Sequence, residues 1–489
     1  MNKADVTAVE HREVILLGVP FHDVTMEETL QHMDRMVASG RPGYLATANL
    51  DFAAQAGSDV ELQRILFDAD LVLCDGTPLV WASHWVGAPL RERVAGSDLL
   101  PELFAHAAGK GHRIFFLGSS DEVLAIARAK CAEAWPKLDI CGAYAPPYAK
   151  LLELDDSEIE RRIREAKPDI LLVAMGCPKQ EKWIYMNYRR LKIPVCIGIG
   201  ASLDFIAGKF RRAPVWMRVC GLEWVFRLLQ EPRRLFSRYW MDLLFFVSTL
   251  REQKRMLRDA GGKRGLSGRS EAQSSGYLPE YFWTGRVDAA AVNAQKVQAM
   301  SAEPARPNAI IDCSGVTFMD STGLGLLVKS YRSCKRAGGT LIVRAPGSQV
   351  RSLLVSMKLD RLIPVADTEE QVLEFFRAGR PGGMESAAQD GEAGVLTVHF
   401  SGDITAATVE DCQKSLDAAW KRTGEMRVLQ LDLGKVAFID SSGLGFLVKT
   451  LKLVRRGGEG TLILQNVTPN VRNVIRLAKL ETILGMGES

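Results

Sequence analysis

The feature that most constrains the fold of this chain is a stretch that occurs twice. Residues 309–343 read AIIDCSGVTFMDSTGLGLLVKSYRSCKRAGGTLIV, and residues 429–464 repeat the pattern as LQLDLGKVAFIDSSGLGFLVKTLKLVRRGGEGTLIL. Each copy predicts a strand, a turn, a helix and a second strand. An Asp-Ser pair stands where each helical pattern begins, and short polar side chains there can cap free backbone N–H groups. The C-terminal part is therefore predicted to hold two similar small α/β domains.

The N-terminal part alternates short apolar runs with Gly-containing turns and helical patterns. The runs lie at 14–19, 114–117, 170–174 and 195–199. Short strands without polar alternation are typical of a parallel sheet that helices cover on both faces. We therefore predict a Rossmann-like, doubly wound α/β domain over residues 1–208, with its ligand beyond the carboxyl ends of the strands.

The domain boundaries follow from length and composition. A chain of 489 residues is long enough for about three domains, and 47% apolar with 25% charged residues is typical of globular proteins. Two segments rich in Gly, Ser and charge predict linkers. The predicted order after the first domain is a basic appendage at 209–258, a linker at 259–275, a repeat domain at 276–377, a linker at 378–391 and a repeat domain at 392–489.

Charge and cysteine content argue against several classes of protein. The net charge of +4 is small for this length and favours no nucleic-acid partner. Nine cysteines without a CxxC pair indicate neither a disulfide framework nor a zinc site, and favour a reducing compartment. The charged N-terminus does not resemble a secretory signal, and the apolar stretch 239–250 is too short to cross a bilayer. We expect a protein inside the cell without a transmembrane helix.

Polar residues gather where the predicted strands end. The loops read TANLDF (47–52), LCDGTPLV (73–80), LGSS (117–120), MGCPKQEKW (175–183) and GIGASLDF (198–205). Their glycines allow a close approach of the backbone to a ligand, and helix N-termini behind them offer N–H groups to a phosphate. None forms a GxGxxG motif or a P-loop, so each loop alone also fits a structural turn.

The segment 209–258 combines positive charge with large apolar side chains. Twelve Lys or Arg residues stand against four Asp or Glu, a net charge of +8, and aromatic residues such as Trp216, Trp224 and Trp240 lie between them. A basic, aromatic-rich amphipathic segment suits an anionic membrane surface. The alternative is a solvated helix face that covers a local core.

Taken in order, the TAN, DG, LGSS, GCPKQEKW and GIGASLDFIAG motifs and the stretch RRAPVWMRVCGLEWVFRLLQEPRRLFSRYW resemble the WecG/TagA/CpsF glycosyltransferase family over about residues 14–250. The resemblance implies inverting transfer of an N-acetylmannosamine-type sugar or a related hexose in surface polysaccharide synthesis. The donor would be a UDP-sugar and the acceptor an undecaprenyl-diphosphate-linked saccharide, with neither metal nor cofactor. It also implies a peripheral location at the cytoplasmic, inner face of the cell membrane, where the appendage docks.

The same resemblance implies roles for single residues. Asp75 of the DG motif would be the general base that takes a proton from the acceptor hydroxyl, a step typically worth about 10²- to 10⁴-fold in rate. The other expected contacts are with sugar, ribose or acceptor hydroxyls (Thr47, Asn49, Gln180, Asp204) and with the diphosphate (Arg212, Arg227, Arg234). The residue types alone leave open that Asp75 and Asp204 cap helices and that Thr47 and Asn49 serve turns.

The two repeats resemble STAS domains of the anti-sigma-factor-antagonist type over about 276–376 and 392–487. The resemblance implies that Ser321 and Ser441 are phosphoacceptors read by a kinase, a phosphatase or an anti-sigma-like partner. Alternatively, these serines only cap a helix in a scaffold. A rival to the enzyme is a non-catalytic signalling scaffold that senses a nucleotide sugar, and the retained set of active-site motifs favours the enzyme.

Overall fold

The structure is a computed structural model that describes residues 11–484, apart from gaps at 211, 215, 218–219, 262–266, 268, 274–278, 301–306, 379–384, 391–394, 424–427, 457–459, 479 and 482. The predicted linkers at 259–275 and 378–391 fall partly within these gaps and so lie partly outside the described residues. The chain divides into two compact units. The first comprises residues 1–149 and 154–369, and the second comprises residues 150–153 and 370–489.

The N-terminal domain is built on a six-stranded parallel sheet, preceded by a two-stranded hairpin. Their strands are β1 (Glu13–Leu16), β2 (Val19–His22), β3 (Tyr44–Ala48), β4 (Leu71–Cys74), β5 (Arg113–Gly118), β6 (Asp139–Tyr144), β7 (Ile170–Ala174) and β8 (Val195–Gly198). The sheet order is β4-β3-β8-β7-β5-β6. Its four inner strands are buried almost throughout, as their continuous apolar sequences predict.

Helices cover both faces of this sheet, which confirms the predicted doubly wound fold. They are α1 (Met26–Ser39), α2 (Leu50–Ala56), α3 (Val60–Asp68), α4 (Thr77–Trp85), α5 (Gly96–Lys110), α6 (Asp121–Ala134), α7 (Asp156–Ala166), α8 (Lys179–Leu191) and α9 (Ser202–Ala207). One core joins the sheet to α1, α5, α6 and α9. On the other face, α8 packs against α3 and α7.

The apolar run at 14–19 is not a strand of the parallel sheet, so that interpretation was wrong. The run forms the antiparallel hairpin β1–β2, in which Leu16 pairs with Val19. Leu17 and Gly18 both have positive φ values, 53° and 79°. Two consecutive positive φ values are the geometry of the tight turn that suits the twist of a two-residue hairpin. The Gly therefore reverses the chain here instead of leading it into a helix.

Two helices form the basic appendage, α10 (Glu223–Gln230) and α11 (Pro232–Gly261). The second is a long helix that packs on α2 of the N-terminal domain. Leu235 and Leu250 are buried on α11, whereas most side chains in its first half are exposed. The appendage is therefore a partly packed helical layer on the N-terminal domain.

The first repeat forms a five-stranded sheet with the order β13-β12-β11-β10-β9. Its elements are β9 (Arg269–Gln273), β10 (Glu280–Val287), α12 (Ala289–Asn293), β11 (Ala309–Met319), α13 (Ser321–Arg336), β12 (Leu341–Arg344), α14 (Ser348–Ser356) and β13 (Val365–Ala366). The next helix, α15 (Glu369–Ala378), belongs to the second unit from residue 370 onward. Strand β9 lies within the segment interpreted as a linker and pairs antiparallel with β10. Strands β10 to β13 pair in parallel.

The second repeat, in the second unit, has the same core arrangement. Its elements are β14 (Glu385–Asp390), β15 (Val395–Ser401), α16 (Val409–Thr423), β16 (Val428–Lys435), α17 (Ser441–Arg456), β17 (Thr461–Gln465) and α18 (Pro469–Leu477). The sheet order is β14-β15-β16-β17, with only its first pair antiparallel. The predicted pair of similar small α/β domains is thereby confirmed.

Candidate active site

Three neighbouring strands bring the polar motifs of the N-terminal domain to one edge of the sheet. Strands β4, β3 and β8 lie side by side and parallel, so their carboxyl ends meet. Asp75 follows β4, Asn49 follows β3, and Thr47 lies near the end of β3. This is the edge at which ligands of open α/β sheets bind.

Asp75 is a half-buried carboxyl at the centre of this edge. Its backbone N–H donates to the Ala48 carbonyl (2.9 Å), and its Oδ2 accepts from the Gly96 N–H (3.3 Å). Burial raises the pKa of Asp75 to about 6, although the Arg93 guanidinium and the Gly96 N–H lower it. The carboxyl does not cap α4, whose N-cap is Gly76. At neutral pH this group is mostly ionised and is a stronger base than an ordinary Asp.

A network of charged side chains surrounds Asp75. Arg93 forms ion pairs with Asp98 of α5 and with Glu223 of α10, the second at 3.1 Å. Arg212 donates to Ser97 Oγ (3.1 Å) and to Asp98. Two arginines thus share one carboxylate at the N-terminal end of α5. Because Arg212 and Glu223 belong to the appendage, this network ties the appendage to the sheet edge.

Gln180 links the two turns that follow β7 and β8. Its Oε1 accepts from the N–H groups of Gly176 (3.1 Å) and Gly200 (3.0 Å), and its Nε2 donates to Glu181 Oε1 (2.6 Å). Burial raises the pKa of Glu181 to about 8, so this carboxyl is protonated at neutral pH. Gln180 itself is buried. The Gln180 bridge therefore shapes the backbone around the site, and its contact with a sugar stays a prediction.

The remaining predicted hydroxyl contacts lie at the same edge with local partners. The Thr47 hydroxyl donates to the Gly198 carbonyl (3.1 Å) and is buried. Asn49 Oδ1 caps α2 by accepting from the Phe52 N–H (3.1 Å), in agreement with the alternative role of the residue. Asp204 lies in the first turn of α9, with Lys209 Nζ at 3.7 Å from its carboxylate.

The three arginines chosen for the diphosphate differ in their surroundings. Arg212 joins the network beside α5 described above. Arg227 of α10 places its guanidinium 5.1 Å from the centre of the Phe205 ring, and its charge lowers the pKa of Asp75. Arg234 lies in α11, and its side chain is outside the described residues. The structure therefore brings Arg212 and Arg227 to the site.

Large apolar side chains are exposed around the appendage. The set comprises Trp216, Trp224, Leu229, Phe236, Trp240, Met241, Leu243 and Leu244, together with Trp81 and Trp85 of α4. Trp85 joins this surface to α11, because Lys254 Nζ lies 3.9 Å from the centre of its ring. We call this set the aromatic surface. No helix among the described residues combines the length and apolar character needed to cross a bilayer.

The two repeat serines begin equivalent helices. Asp320 Oδ1 accepts from the Thr322 and Gly323 N–H groups at the start of α13. Asp440 Oδ1 accepts from the Ser442 and Gly443 N–H groups at the start of α17 in the same way. The aspartates, and not the serines, therefore cap these helices. Ser321 and Ser441 are both buried.

Reasoning from the sequence missed four residues of this region. Glu181 lies in the MGCPKQEKW motif, but its raised pKa comes from burial, which no spacing rule reveals. Arg93 lies outside the motifs, and its role comes from ion pairs with residues of other elements. Trp81 and Trp85 recur at a helical spacing of four, which places both on one face of α4. That spacing was a usable signal, because α4 begins directly after the DG motif.

Family profiles match both regions of the chain. The profile described as "Glycosyl transferase WecG/TagA/CpsF family" matches residues 14–260, and the STAS domain profile matches residues 270–372 and 387–489. A crystal structure titled as that of an anti-sigma factor antagonist from Mycobacterium paratuberculosis covers 21% of this chain and 82% of its own, with 24% identity and a TM-score of 0.18.

The N-terminal region is also similar to transferases of Staphylococcus aureus. It is 30% identical over 225 residues to the N-acetylglucosaminyldiphosphoundecaprenol N-acetyl-beta-D-mannosaminyltransferase of Staphylococcus aureus strain MW2, a match that covers 46% of this chain and 87% of that protein. The protein of the same description from strain NCTC 8325 matches with the same identity and coverage. The chain therefore belongs to the WecG/TagA/CpsF family of glycosyl transferases and carries two STAS domains after its transferase region.

Proposed function

We propose that this chain transfers an N-acetylmannosamine-type sugar or a related hexose from a UDP-sugar to an undecaprenyl-diphosphate-linked saccharide. The observation that carries the proposal is the Asp75 carboxyl, whose pKa of about 6 suits a base at neutral pH. The acceptor class follows the name of the Staphylococcus aureus relatives, N-acetylglucosaminyldiphosphoundecaprenol N-acetyl-beta-D-mannosaminyltransferase. The UDP donor and the inverting outcome are part of the proposal.

In the proposed reaction, the acceptor hydroxyl oxygen attacks the anomeric carbon from the face opposite to the diphosphate. The new carbon–oxygen bond forms as the bond to the diphosphate oxygen breaks, so UDP leaves with the bonding pair and the configuration inverts. Asp75 accepts the hydroxyl proton. Within the described part of the chain, the one hydrogen bond to this carboxylate is the long one from the Gly96 N–H (3.3 Å), so the carboxylate keeps acceptor capacity for that proton.

The leaving diphosphate gains negative charge as the bond breaks, and cations beside it lower the barrier. Arg212 and Arg227 lie in the appendage segments that border the Asp75 edge. Arg93 pairs with Glu223 of the appendage, and its charge lowers the pKa of Asp75 more than that of Arg227 does. A guanidinium presents donors in a fixed fork that fits two phosphate oxygens. We assign diphosphate binding to Arg212 and Arg227, with Arg234 as a further candidate.

The aromatic surface supports a peripheral position at the inner face of the membrane. Tryptophan side chains stabilise proteins at the boundary between lipid headgroups and acyl chains, and neighbouring Lys and Arg residues attract anionic lipids. Helix α4 begins directly after the DG motif and carries the exposed Trp81 and Trp85. The proposed membrane-contacting residues therefore lie within about three helical turns of the motif that contains the proposed base. A lipid-linked acceptor would then reach Asp75 without leaving the bilayer.

The decisive experiment measures UDP release from a panel of UDP-sugars, with and without an undecaprenyl-diphosphate-linked N-acetylglucosamine analogue. We expect release only when the correct donor and the acceptor are both present. A matched control replaces the acceptor with the same lipid diphosphate lacking its sugar. Binding of a UDP-sugar without acceptor-dependent release would instead identify a sensor.

A further inference from the structure

Gln253 of α11 connects three parts of the first unit. Its side chain is fully buried. Its Nε2 donates to the Ile15 carbonyl (2.9 Å) and to Ser321 Oγ (3.0 Å), and its Oε1 accepts from the Leu17 N–H (3.2 Å). Buried amides of this kind stabilise a structure only when they are paired. One glutamine thus joins the transferase hairpin, the appendage helix and the first STAS domain at its serine.

The helix that begins at Ser321 lies directly on the hairpin. Ser321 has no exposed surface. One turn further along α13, a Cβ atom on Gly325 would collide with the carbonyl oxygen of Glu13. Only glycine allows the helix and the strand to approach this closely. The face of the first STAS domain that carries its serine is therefore covered by the transferase region.

A buried ion pair completes this contact. Arg332 of α13 donates to Glu13 Oε2 (2.6 Å), and the side chains of both residues are 6% exposed. Its other terminal nitrogen lies 3.4 Å from the Ala69 carbonyl and 3.4 Å from His22 Nε2. A buried charge is tolerated where it is paired and hydrogen-bonded, and removal of one partner is strongly destabilising. The ion pair therefore favours a partner that places a carboxylate opposite Arg332.

Apolar side chains surround these polar contacts. Ile15 of the hairpin and Phe67 of α3 are part of the same hydrophobic cluster as the core of the first STAS domain, and Met256 of α11 packs against it. Gln63 adds a hydrogen bond from its Nε2 to the Met357 carbonyl (3.1 Å). The contact thus has a fully desolvated centre, as stable interfaces do.

The second STAS domain differs at the position that matters most for this contact. The DSTGLG and DSSGLG motifs align Asp320 with Asp440, which places Lys452 where the first copy has Arg332. Lys452 is exposed. A lysine lacks the planar fork with which Arg332 reaches both a carboxylate and a carbonyl group. The first copy is therefore specialised for a buried carboxylate partner.

We propose that the serine face of the first STAS domain has this chain's own transferase region as its partner, and that this docking holds α11 and its appendage at the active site. The hairpin residues 13–17 and the second half of α11 form the docking surface. Another protein that binds the same face competes with the transferase. A kinase can reach the buried Ser321 hydroxyl only in the undocked state, and a phosphate there then opposes docking, because the docked face buries the side chain completely against Gln253.

A charge exchange across the Glu13–Arg332 pair tests the docking in the full-length chain. Arg332→Glu places two carboxylates together, whereas Glu13→Arg combined with Arg332→Glu restores opposite charges. The readout is hydrogen exchange of the backbone amides of residues 13–16 and 250–257, with β11 as a report on the folding of the STAS domain itself. Lys452→Glu, the equivalent change in the second copy, is the matched control.

We expect Arg332→Glu to speed exchange at both segments by about 100-fold or more, and the double variant to regain most of the protection. Lys452→Glu leaves both segments unchanged. Unchanged exchange in Arg332→Glu, or a double variant that stays as open as the single one, overturns the proposal. Acceptor-dependent UDP release should fall about tenfold in Arg332→Glu, a change of about 1.4 kcal/mol in the activation free energy, and should recover in the double variant. Unchanged release in Arg332→Glu would refute the effect of docking on the active site.

Only this activity readout rests on the proposed function. If the wild-type chain released no UDP with any donor, the proposed function would fail, and hydrogen exchange would still decide whether the serine face is docked.

Discussion

Asp75 is the proposed general base, and its surroundings set the pKa of its carboxyl. Its environment raises the pKa of the carboxyl to about 6, mainly through burial, while Arg93 and Arg227 keep it from rising further. A higher pKa makes a carboxylate a better proton acceptor, and a value near 6 still leaves it mostly ionised at pH 7. At this pKa the Asp75 carboxylate is a stronger base than an ordinary Asp and is still largely ionised at neutral pH.

Replacing Asp75 with Asn removes the proton acceptor and keeps the shape of the side chain. We expect turnover to fall about 10²- to 10⁴-fold with donor binding nearly unchanged. In the wild type, the rate should rise with pH through about 6 and then level off, because only the ionised carboxyl accepts a proton. Steady-state UDP release and donor titration measure both effects. Near-normal turnover in the Asn variant would exclude the base role.

The same substitution should stabilise the fold at neutral pH. The pKa of Asp75 is about 6 in the folded chain and near 4 in the unfolded chain. Ionisation therefore lowers the free energy of unfolding as the pH rises from about 4 to 6, and above pH 6 the loss is on the order of 2 to 3 kcal/mol. Asn does not ionise, and its amide oxygen can still accept from the Gly96 N–H. The Asn variant should therefore unfold a few degrees higher than the wild type at pH 7.5, with the difference vanishing near pH 4. A lower unfolding temperature at pH 7.5 would contradict this reasoning.

Single residues were predictable where a rule of topology applies. Asp75, Thr47 and Asn49 follow or end adjacent strands, and the rule that ligands bind at strand carboxyl ends places them together. Arg93 and Glu181 were not predictable in this way. The Arg93 ion pair with Glu223 joins residues 130 positions apart, and the raised pKa of Glu181 arises from burial that no local pattern encodes.

At the scale of elements, the Gln180 bridge holds the turns after β7 and β8 at a fixed separation. Gln180→Leu preserves size but leaves the Gly176 and Gly200 N–H groups without their acceptor, at a cost of about 2 to 5 kcal/mol. We expect a lower unfolding temperature by calorimetry and weaker donor binding. Glu181→Gln is the control, because a neutral amide replaces a carboxyl that is already protonated, so its stability should change by less than about 1 kcal/mol. Equal stability of the Leu variant and the wild type would rule out the bridge.

The elements themselves followed from the sequence wherever periodicity decides. Continuous apolar runs predicted β5, β7 and β8, and the repeated Asp-Ser motif predicted the starts of α13 and α17. The first apolar run was misassigned, because periodicity does not report whether a following Gly reverses the chain or leads into a helix. Two positive φ values decide that outcome, and Leu17 is a residue type that rarely adopts one.

At the scale of the first unit, α11 serves two surfaces. Its first half carries Phe236 and Trp240 of the aromatic surface, and its second half carries Gln253 at the STAS contact. A helix is a stiff element, so under the proposed docking we expect loss of the STAS contact to displace both halves of α11 together. The repeat predicted that two STAS-like domains exist. It could not predict that one of them docks on the transferase, because the contact depends on partners far away in sequence, such as Glu13 for Arg332 and Gln253 for Ser321.

Membrane attachment is tested by removing exposed apolar area from the aromatic surface. Trp216 and Trp240 are 61% and 54% exposed, so Trp216→Ser combined with Trp240→Ser changes little of the core. Burial of apolar area in the headgroup region contributes roughly 25 cal/mol per Å², so we expect binding to anionic vesicles to weaken at least about tenfold. Vesicle co-sedimentation at two salt concentrations separates this apolar contribution from that of the basic residues.

The matched control for this prediction is Leu477→Ser in the second STAS domain, where Leu477 is 74% exposed but lies outside the aromatic surface. It should bind vesicles like the wild type. Unfolding temperatures of all three proteins should agree within a few degrees, because none of these side chains is buried. If the tryptophan variant still sedimented like the wild type at both salt concentrations, membrane contact would have to lie elsewhere. Loss of binding only in the tryptophan variant would place the bilayer beside the appendage, on the aromatic surface that also includes Trp81 and Trp85 of α4.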